Sequence, residues 1–119
     1  MEKLDERTYN FALRIVKLVS ALPRTTQSEV LGRQVLRSGT SIGANVEEAY
    51  GGCSKRDFTN KMFTAFKESR ETHFWLRLIL DAGLVPEKRI SPLVQEALEI
   101  KLILAQTVIT SRKSKAQSE

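Results

Sequence analysis

The stretch from Arg37 to Gly52 reads RSGTSIGANVEEAYGG and places Ser38, Gly39, Ser41, Gly43 and Asn45 inside what the flanking pattern makes a helix. A glycine in a helix interior is less favourable than alanine by about 1 kcal/mol. Serine and asparagine side chains compete for the same backbone groups that the helix uses. Five such residues in the eight from Ser38 to Asn45 therefore point to close helix contact or to a site.

Outward from that stretch, Leu31, Val35, Ser38, Ile42, Asn45 and Ala49 repeat at alternating four- and three-residue steps, the seam of a helix over residues 27–50. Thr26 and Glu29 are spaced as a capping box at its start, and Gly51 and Gly52 suit a left-handed C-cap at its end. Ser54 then caps a helix over 55–82, with Asp57 near the positive end of its dipole and Phe58, Met62, Ala65, Ser69, Thr72, Leu76 and Ile79 on its seam. Gly83 and Pro86 close it.

The two seams turn polar opposite one another. Ser38 and Asn45 need hydrogen-bond partners if buried, and Ser69 and Thr72 on the next helix are the candidates. Gly39, Gly43 and Ala44 facing Ala65 and Ser69 would let these two backbones approach closely. A polar layer of this kind fixes register, and that structural role is the expectation for Asn45 ahead of ligand binding.

Two further helices flank this pair. Over 5–22, Leu4, Phe11, Ile15, Leu18 and Leu22 recur with Thr8 filling the gap, and Tyr9, Ala12, Val16 and Val19 form an adjoining stripe that predicts a second packing partner. Over 92–114, Ser91 reads as N-cap and Pro92 as the first helical residue, with Leu93, Ala97, Leu98, Leu102, Ala105, Val108 and Ile109 on the buried side. No alternating Val/Ile-rich run calls for a strand. Short linkers around Arg24, Cys53 and Glu87 predict an all-α, antiparallel up-down-up-down four-helix bundle, one domain over residues 1–119. Ile100, Ile103, Leu104 and Ile109 lie on several sides of the last helix, and Phe63, Phe74, Trp75 and Leu78 lie off the third helix's seam. This excess of hydrocarbon predicts a homo-oligomer.

The chain has 119 residues, 41% hydrophobic and 28% charged, the balance of a soluble globular protein. It has neither a bilayer-length apolar run nor a signal-peptide core after Met1, so the cytoplasm is the expected compartment and no membrane partner is expected. Cys53 is the only cysteine, which excludes an internal disulfide, and it reads as a loop or helix-start residue. The net charge of +5 is compatible with a polyanionic partner, and basic residues gather as Lys55 with Arg56 and as Arg112, Lys113 and Lys115. The alternative for these residues is a solvated helix start and a frayed tail.

Glu68, Glu71, Trp75 and Leu78 share a neighbouring face of the third helix, while Glu47 and Glu48 end the second. A di-iron carboxylate site takes a Glu-x-x-His pair from each of two helices, whereas the only histidine here, His73, follows Arg70 by three residues. The glutamates are therefore expected to pair with Arg37, Lys67, Arg70 and Arg77. His73, in the series Phe66, His73, Leu80, is expected to be packed or to lie in an interface. No phosphate loop, nucleophile elbow or acid–base pair is present, so no catalytic, cofactor or metal residue is assigned.

RSGTSIGANVEEAYGG followed by KRDFTNKMFTAFKESRETHFWLRLIL resembles the four-helix bundle protein family, also called the 23S rRNA intervening-sequence protein family, over almost the whole chain. The most specific parts are Ser41–Ala49 and the Lys-Glu-x-x-Glu-Thr-x-x-Trp-Leu pattern from Lys67 to Leu76. The resemblance implies a small bacterial protein with an antiparallel four-helix bundle fold, assembled as a ring-like homopentamer. It is similar also to the accessory variability protein of diversity-generating retroelements, which implies a basic surface for nucleic acid. Ser41, Asn45, Glu48, Glu68, Glu71 and Trp75 fall on the family pattern, and the resemblance assigns none of them a catalytic role. Together these features predict a non-enzymatic homo-oligomer that binds structured RNA or DNA through Lys55, Arg56, Arg112, Lys113 and Lys115. The alternative is a protein-interaction scaffold with no nucleic-acid ligand; an enzyme built on Glu68 and Glu71 is a remote third.

Overall fold

The apolar periodicity is realised as four helices, with no strand among the described residues. The computed structural model describes residues 2–52 and 54–118, with side chains as far as Ser114. Helix α1 is Leu4–Ser20, α2 Thr26–Tyr50, α3 Lys55–Asp81 and α4 Glu87–Ser118. Cys53 and the side chain of Lys115 lie outside the described residues.

The helix ends follow local chemistry. At the start of α3 the Asp57 N–H donates to Ser54 Oγ at 3.1 Å, as the sequence predicts. At its end Gly83 adopts φ +68°, its N–H donates to the Leu80 carbonyl at 3.0 Å, and the Leu84 N–H donates to the Ile79 carbonyl at 3.3 Å. That pair of bonds is a Schellman motif, which satisfies carbonyls the last turn would otherwise leave open.

Three expected ends differ. The cap of α2 is Thr25, not Thr26: Thr25 is extended and its hydroxyl accepts from the Ser28 N–H at 3.1 Å. Gly51 is right-handed at φ −88°, so α2 ends without a left-handed cap there. Helix α4 begins at Glu87, which puts Pro92 inside it rather than at its first position, with Ser91 helical rather than capping. The earlier start places Ile90 in line with Leu93, Ala97, Ile100, Leu104 and Val108, all buried. Burying an isoleucine is worth about 1.5–3 kcal/mol, which offsets the backbone bond that Pro92 forgoes near the helix start.

Packing is sequential: α1 lies on α2, α2 on α3 and α3 on α4, with a lighter α1–α4 contact. The resulting body measures 52 × 24 × 20 Å. Thr8, Phe11, Ile15 and Leu18 of α1, Val35, Ser38 and Ile42 of α2, and Met62, Ala65, Ser69, Thr72, Leu76 and Ile79 of α3 are buried along the expected seams, and Val46, off the expected α2 seam, is buried as well. The stripe beside the α1 seam is covered in part within the chain: Ala12 and Val19 are half-buried, Val19 against the core, while Tyr9 and Val16 are exposed. On α4 the core is carried by Ile100 and Leu104, while Leu102 and Ile109, expected to be buried, face outward. A two-residue offset on a helix turns a side chain through roughly 200°, so one misjudged stripe exchanges inside for outside.

The glycines of α2 face α1, not α3 as the sequence suggested. A Cβ on Gly39 would lie 3.0 Å from Ile15 Cγ1, and one on Gly43 would lie 3.2 Å from the Thr8 carbonyl oxygen. Ser38 looks at α3, and Gly39, the next residue, points about 100° away from it. Close approach is thus a property of the α1–α2 contact, and Ala44 is exposed.

Arg7 ties α1 to α4. Its Nε and Nη2 donate to the two carboxylate oxygens of Glu96, both at 2.8 Å, and Nη2 also donates to Glu99 Oε1 at 2.7 Å. The guanidinium holds its proton more firmly than usual, chiefly through the Glu96 bond. Glu99 is held below the usual carboxylate range by the hydrogen bond from Gln95 and then by Arg7.

Three outcomes follow from this packing. Gly43→Ala should lower the urea midpoint by the equivalent of about 1–2 kcal/mol despite alanine's better helix propensity, because Thr8 backbone must move. Gly32→Ala, whose Cβ meets only the end of Leu22 at 3.0 Å and Val19 at 3.5 Å, should be neutral or stabilising by up to about 1 kcal/mol. For Arg7, a carboxyl whose folded pKa is depressed contributes stability above its unfolded value and loses it as pH falls through the folded one. Arg7→Met should therefore be less stable than wild type at neutral pH, and urea titrations should show the deficit shrinking as pH drops below about 4.

Candidate nucleic-acid interface

Two basic clusters far apart in sequence meet at one end of the molecule. Lys55, in the first turn of α3, donates from Nζ to Ser114 Oγ on α4 at 3.1 Å. Thr59 on α3 and Ser111 on α4 are hydrogen-bonded one turn further in. The Arg112 guanidinium sits 4.9 Å from the centroid of the Phe63 ring, a cation–π contact that holds it against α3. Arg56 and Lys113 are exposed beside them. A groove of about 560 Å³ runs along this end, walled by Lys55, Phe58, Ile103, Thr107, Ser111 and Ser114 among others. Among the described residues, no carboxylate lies within ion-pair distance of Lys55, Arg56, Arg112 or Lys113.

Further along the same two helices lies a second basic group. Lys67, Arg70, Glu71, His73, Phe74 and Arg77 of α3 and Lys101 of α4 line a recess of about 390 Å³. Lys67 Nζ lies 5.1 Å from the Phe63 ring that Arg112 also covers, so the two groups are continuous. Lys101 Nζ lies 3.3 Å from His73 Nδ1. His73 is pushed below its ordinary pKa by burial and then by the charges of Lys101 and Arg77, so its ring is neutral at pH 7. It is packed against α4, as the sequence allowed.

The sequence assigned Lys67, Arg70 and Arg77 to the glutamates of α3, yet only Arg37 takes that role. Arg37 Nη1 donates to Glu68 Oε2 at 3.4 Å, and Nη2 bonds Glu71. Glu71 also accepts from the Trp75 indole N–H at 3.0 Å. Lys61 pairs with Glu48 at 2.7 Å. These are exposed or half-exposed pairs, worth little stability singly. Arg37 on α2 is nearer to the glutamate face, which leaves the α3 cations turned toward α4.

Of the polar seam, Ser38 meets its predicted partner: its hydroxyl lies 2.9 Å from that of Thr72, and both are fully buried. Thr72 also donates to the Glu68 carbonyl at 2.7 Å. Asn45 does not reach α3. It is half-buried and donates from Nδ2 to the Ser41 carbonyl at 2.8 Å, within its own helix. Ser41 likewise bonds the Arg37 carbonyl at 2.8 Å, and Ser69 the Phe66 carbonyl at 2.7 Å. Val46 takes the buried position beside Asn45, so the polar layer is one pair rather than two. Arg70, Phe74 and Arg77 share one helical face by their spacing, which is a partial signal of the recess in the sequence. Lys101 had none, since its placement depends on the register of α4.

Among the described residues no helix is long and apolar enough to cross a membrane. No curated protein matches the chain. A solved structure does: a protein of unknown function from the S23 ribosomal protein family of Bacteroides thetaiotaomicron, 35% identical, superposes with a TM-score of 0.82 over 89% of this chain and 98% of its own. The family model for the 23S rRNA-intervening sequence protein matches residues 3–106, the helices and linkers that carry both the Ser38–Thr72 pair and the basic recess. The chain therefore belongs to the 23S rRNA-intervening sequence protein family.

Proposed function

We propose that this protein is a non-enzymatic, cytoplasmic homo-oligomer that binds structured RNA, mainly through phosphates, at the end of the molecule where α3 begins and α4 finishes. The observation that carries this reading is the meeting of Lys55 with Ser114 beside Arg112, which joins two sequence-distant basic clusters with no ion-pair partner for Lys55, Arg56, Arg112 or Lys113 among the described residues. Unneutralised Lys and Arg side chains release counterions when phosphates replace them, and this gives affinity without sequence readout. Lys113 and Lys115 extend the same basic run in the sequence.

The subunit arrangement belongs to the same proposal: an antiparallel up-down-up-down bundle repeated as a ring, with five copies the number the family resemblance implies. Contacts that run from Gly32 with Leu22 to Gly43 with Thr8 support the opposed direction of α1 and α2. Exposed Tyr9, Leu13 and Val16 on α1 and Leu102 and Ile109 on α4 support burial between copies. Those apolar stripes also favour a second reading, a scaffold that engages a protein and no nucleic acid.

Filter binding of a ribosomal RNA fragment across a salt series separates the two. RNA binding predicts a steep fall of affinity with salt, and replacing Lys55, Arg56, Arg112 and Lys113 by glutamine should reduce the slope by roughly one per lost phosphate contact. Salt-insensitive retention, or none at low ionic strength, would remove the RNA reading and leave the scaffold.

A further inference from the structure

We infer that the recess between α3 and α4 is a subsite for one unpaired nucleotide, with the base stacked on Phe74 and the flanking phosphates held by Arg70, Arg77 and Lys101. This rests on the proposed nucleic-acid binding but concerns residues outside the basic end. Lys67, Arg70, Arg77 and Lys101 are four cations around one recess, and among the described residues no carboxylate is within ion-pair distance of any of them. Glu71, the one carboxylate on its wall, is engaged by Arg37 and Trp75. Like charges gathered this way repel one another, and an anion relieves the repulsion.

The aromatic component gives the recess its selectivity. Phe74 is 48% exposed, although a phenylalanine gains most when buried. Trp75 packs against it in a T-shaped pair, with centroids 5.0 Å apart and planes at 75°, which steadies a ring that stays half exposed. Arg70 and Arg77 lie four residues before and three after Phe74, so both flank it on one helical face. His73 supplies a directional contact: with Nδ1 facing the Lys101 ammonium, the ring proton belongs on Nε2, free to donate to a phosphate or base oxygen. A recess of about 390 Å³ is of the size that holds a single small ligand. Bases inside a duplex are already stacked and cannot reach such a ring, whereas unpaired bases can.

From Lys55 to Arg77 the α3 axis runs about 33 Å at roughly 1.5 Å per residue, so a strand bound at the basic end can continue into the recess. Lys67 and Arg112, sharing the Phe63 ring, bridge the two.

Fluorescence anisotropy with a labelled oligouridylate of about ten nucleotides, an oligothymidylate of the same length and a blunt RNA duplex tests this on the intact oligomer. Phe74→Ala should weaken oligouridylate binding by about 5- to 150-fold with the salt slope unchanged and the duplex unaffected, while Phe74→Tyr should bind as wild type does. Lys101→Gln should instead lower the single-strand salt slope by about 0.7. The two oligonucleotides distinguish RNA from DNA as the source of the nucleotide: equal affinity assigns the site to base and phosphate alone, and a preference for oligouridylate adds the 2′-hydroxyl. Wild-type affinity in Phe74→Ala, an equal loss on the duplex, or a change in the sedimentation mass of Phe74→Ala would overturn the subsite. If wild type still binds the duplex in a salt-sensitive way, the broader reading stands without it; if wild type binds no probe, both fall.

Discussion

The closeness of α2 to its two neighbours is the constraint on which the rest of the fold depends. On one side Gly39 and Gly43 bring the α2 backbone so near Ile15 and Thr8 of α1 that an added Cβ would force the neighbour to shift. On the other, the buried hydroxyls of Ser38 and Thr72 meet inside an otherwise apolar contact. A buried hydroxyl without a partner costs about 1–3 kcal/mol, so sliding α2 along α3 by a turn would strand Ser38, while Thr72 would keep its bond to the Glu68 carbonyl. Glycines that face one neighbour and a hydroxyl that faces the other set the register of three helices at once.

That register decides what the surface presents. With α3 locked by its seam, the residues off the seam are divided between two sides. Glu68 and Glu71 turn toward α2 and meet Arg37, while Lys67, Arg70 and Arg77 turn toward α4. The separation of charge across α3 leaves the α3–α4 side with cations that have no ion-pair partner among the described residues. α4 adds Lys101 at the middle and Arg112 at the end because Ile90 draws its start forward by a turn and fixes which of its faces is buried.

Much of this was legible in the sequence where a single physical cause dominates. The seams of α1, α2 and α3, the Ser54 cap, the Gly83 stop and the Ser38–Thr72 pair all follow from periodicity or from one local bond. Legibility failed where two causes compete. Pro92 favours a helix start, but the burial of Ile90 outweighs it. Asn45 sits on the seam by spacing, yet its amide finds the Ser41 carbonyl without leaving its own helix. Leu102 and Ile109 were placed inside because α4 carries apolar residues on several sides and spacing alone cannot choose among them. For the basic residues, sequence located the clusters but not their meeting, since contact between Lys55 and Ser114 is set by how α3 and α4 pack.

The most direct test of the shared polar seam is a double-mutant cycle on Ser38→Ala and Thr72→Val, read by urea denaturation. Thr72→Val should cost about 1–3 kcal/mol by stranding the Ser38 hydroxyl, Ser38→Ala should cost less because Thr72 keeps its bond to the Glu68 carbonyl, and the double variant should recover part of the loss, giving a coupling of about 0.5 kcal/mol or more. Strictly additive losses would mean that the two hydroxyls do not act together, and the register of α2 on α3 would then have to come from apolar packing alone.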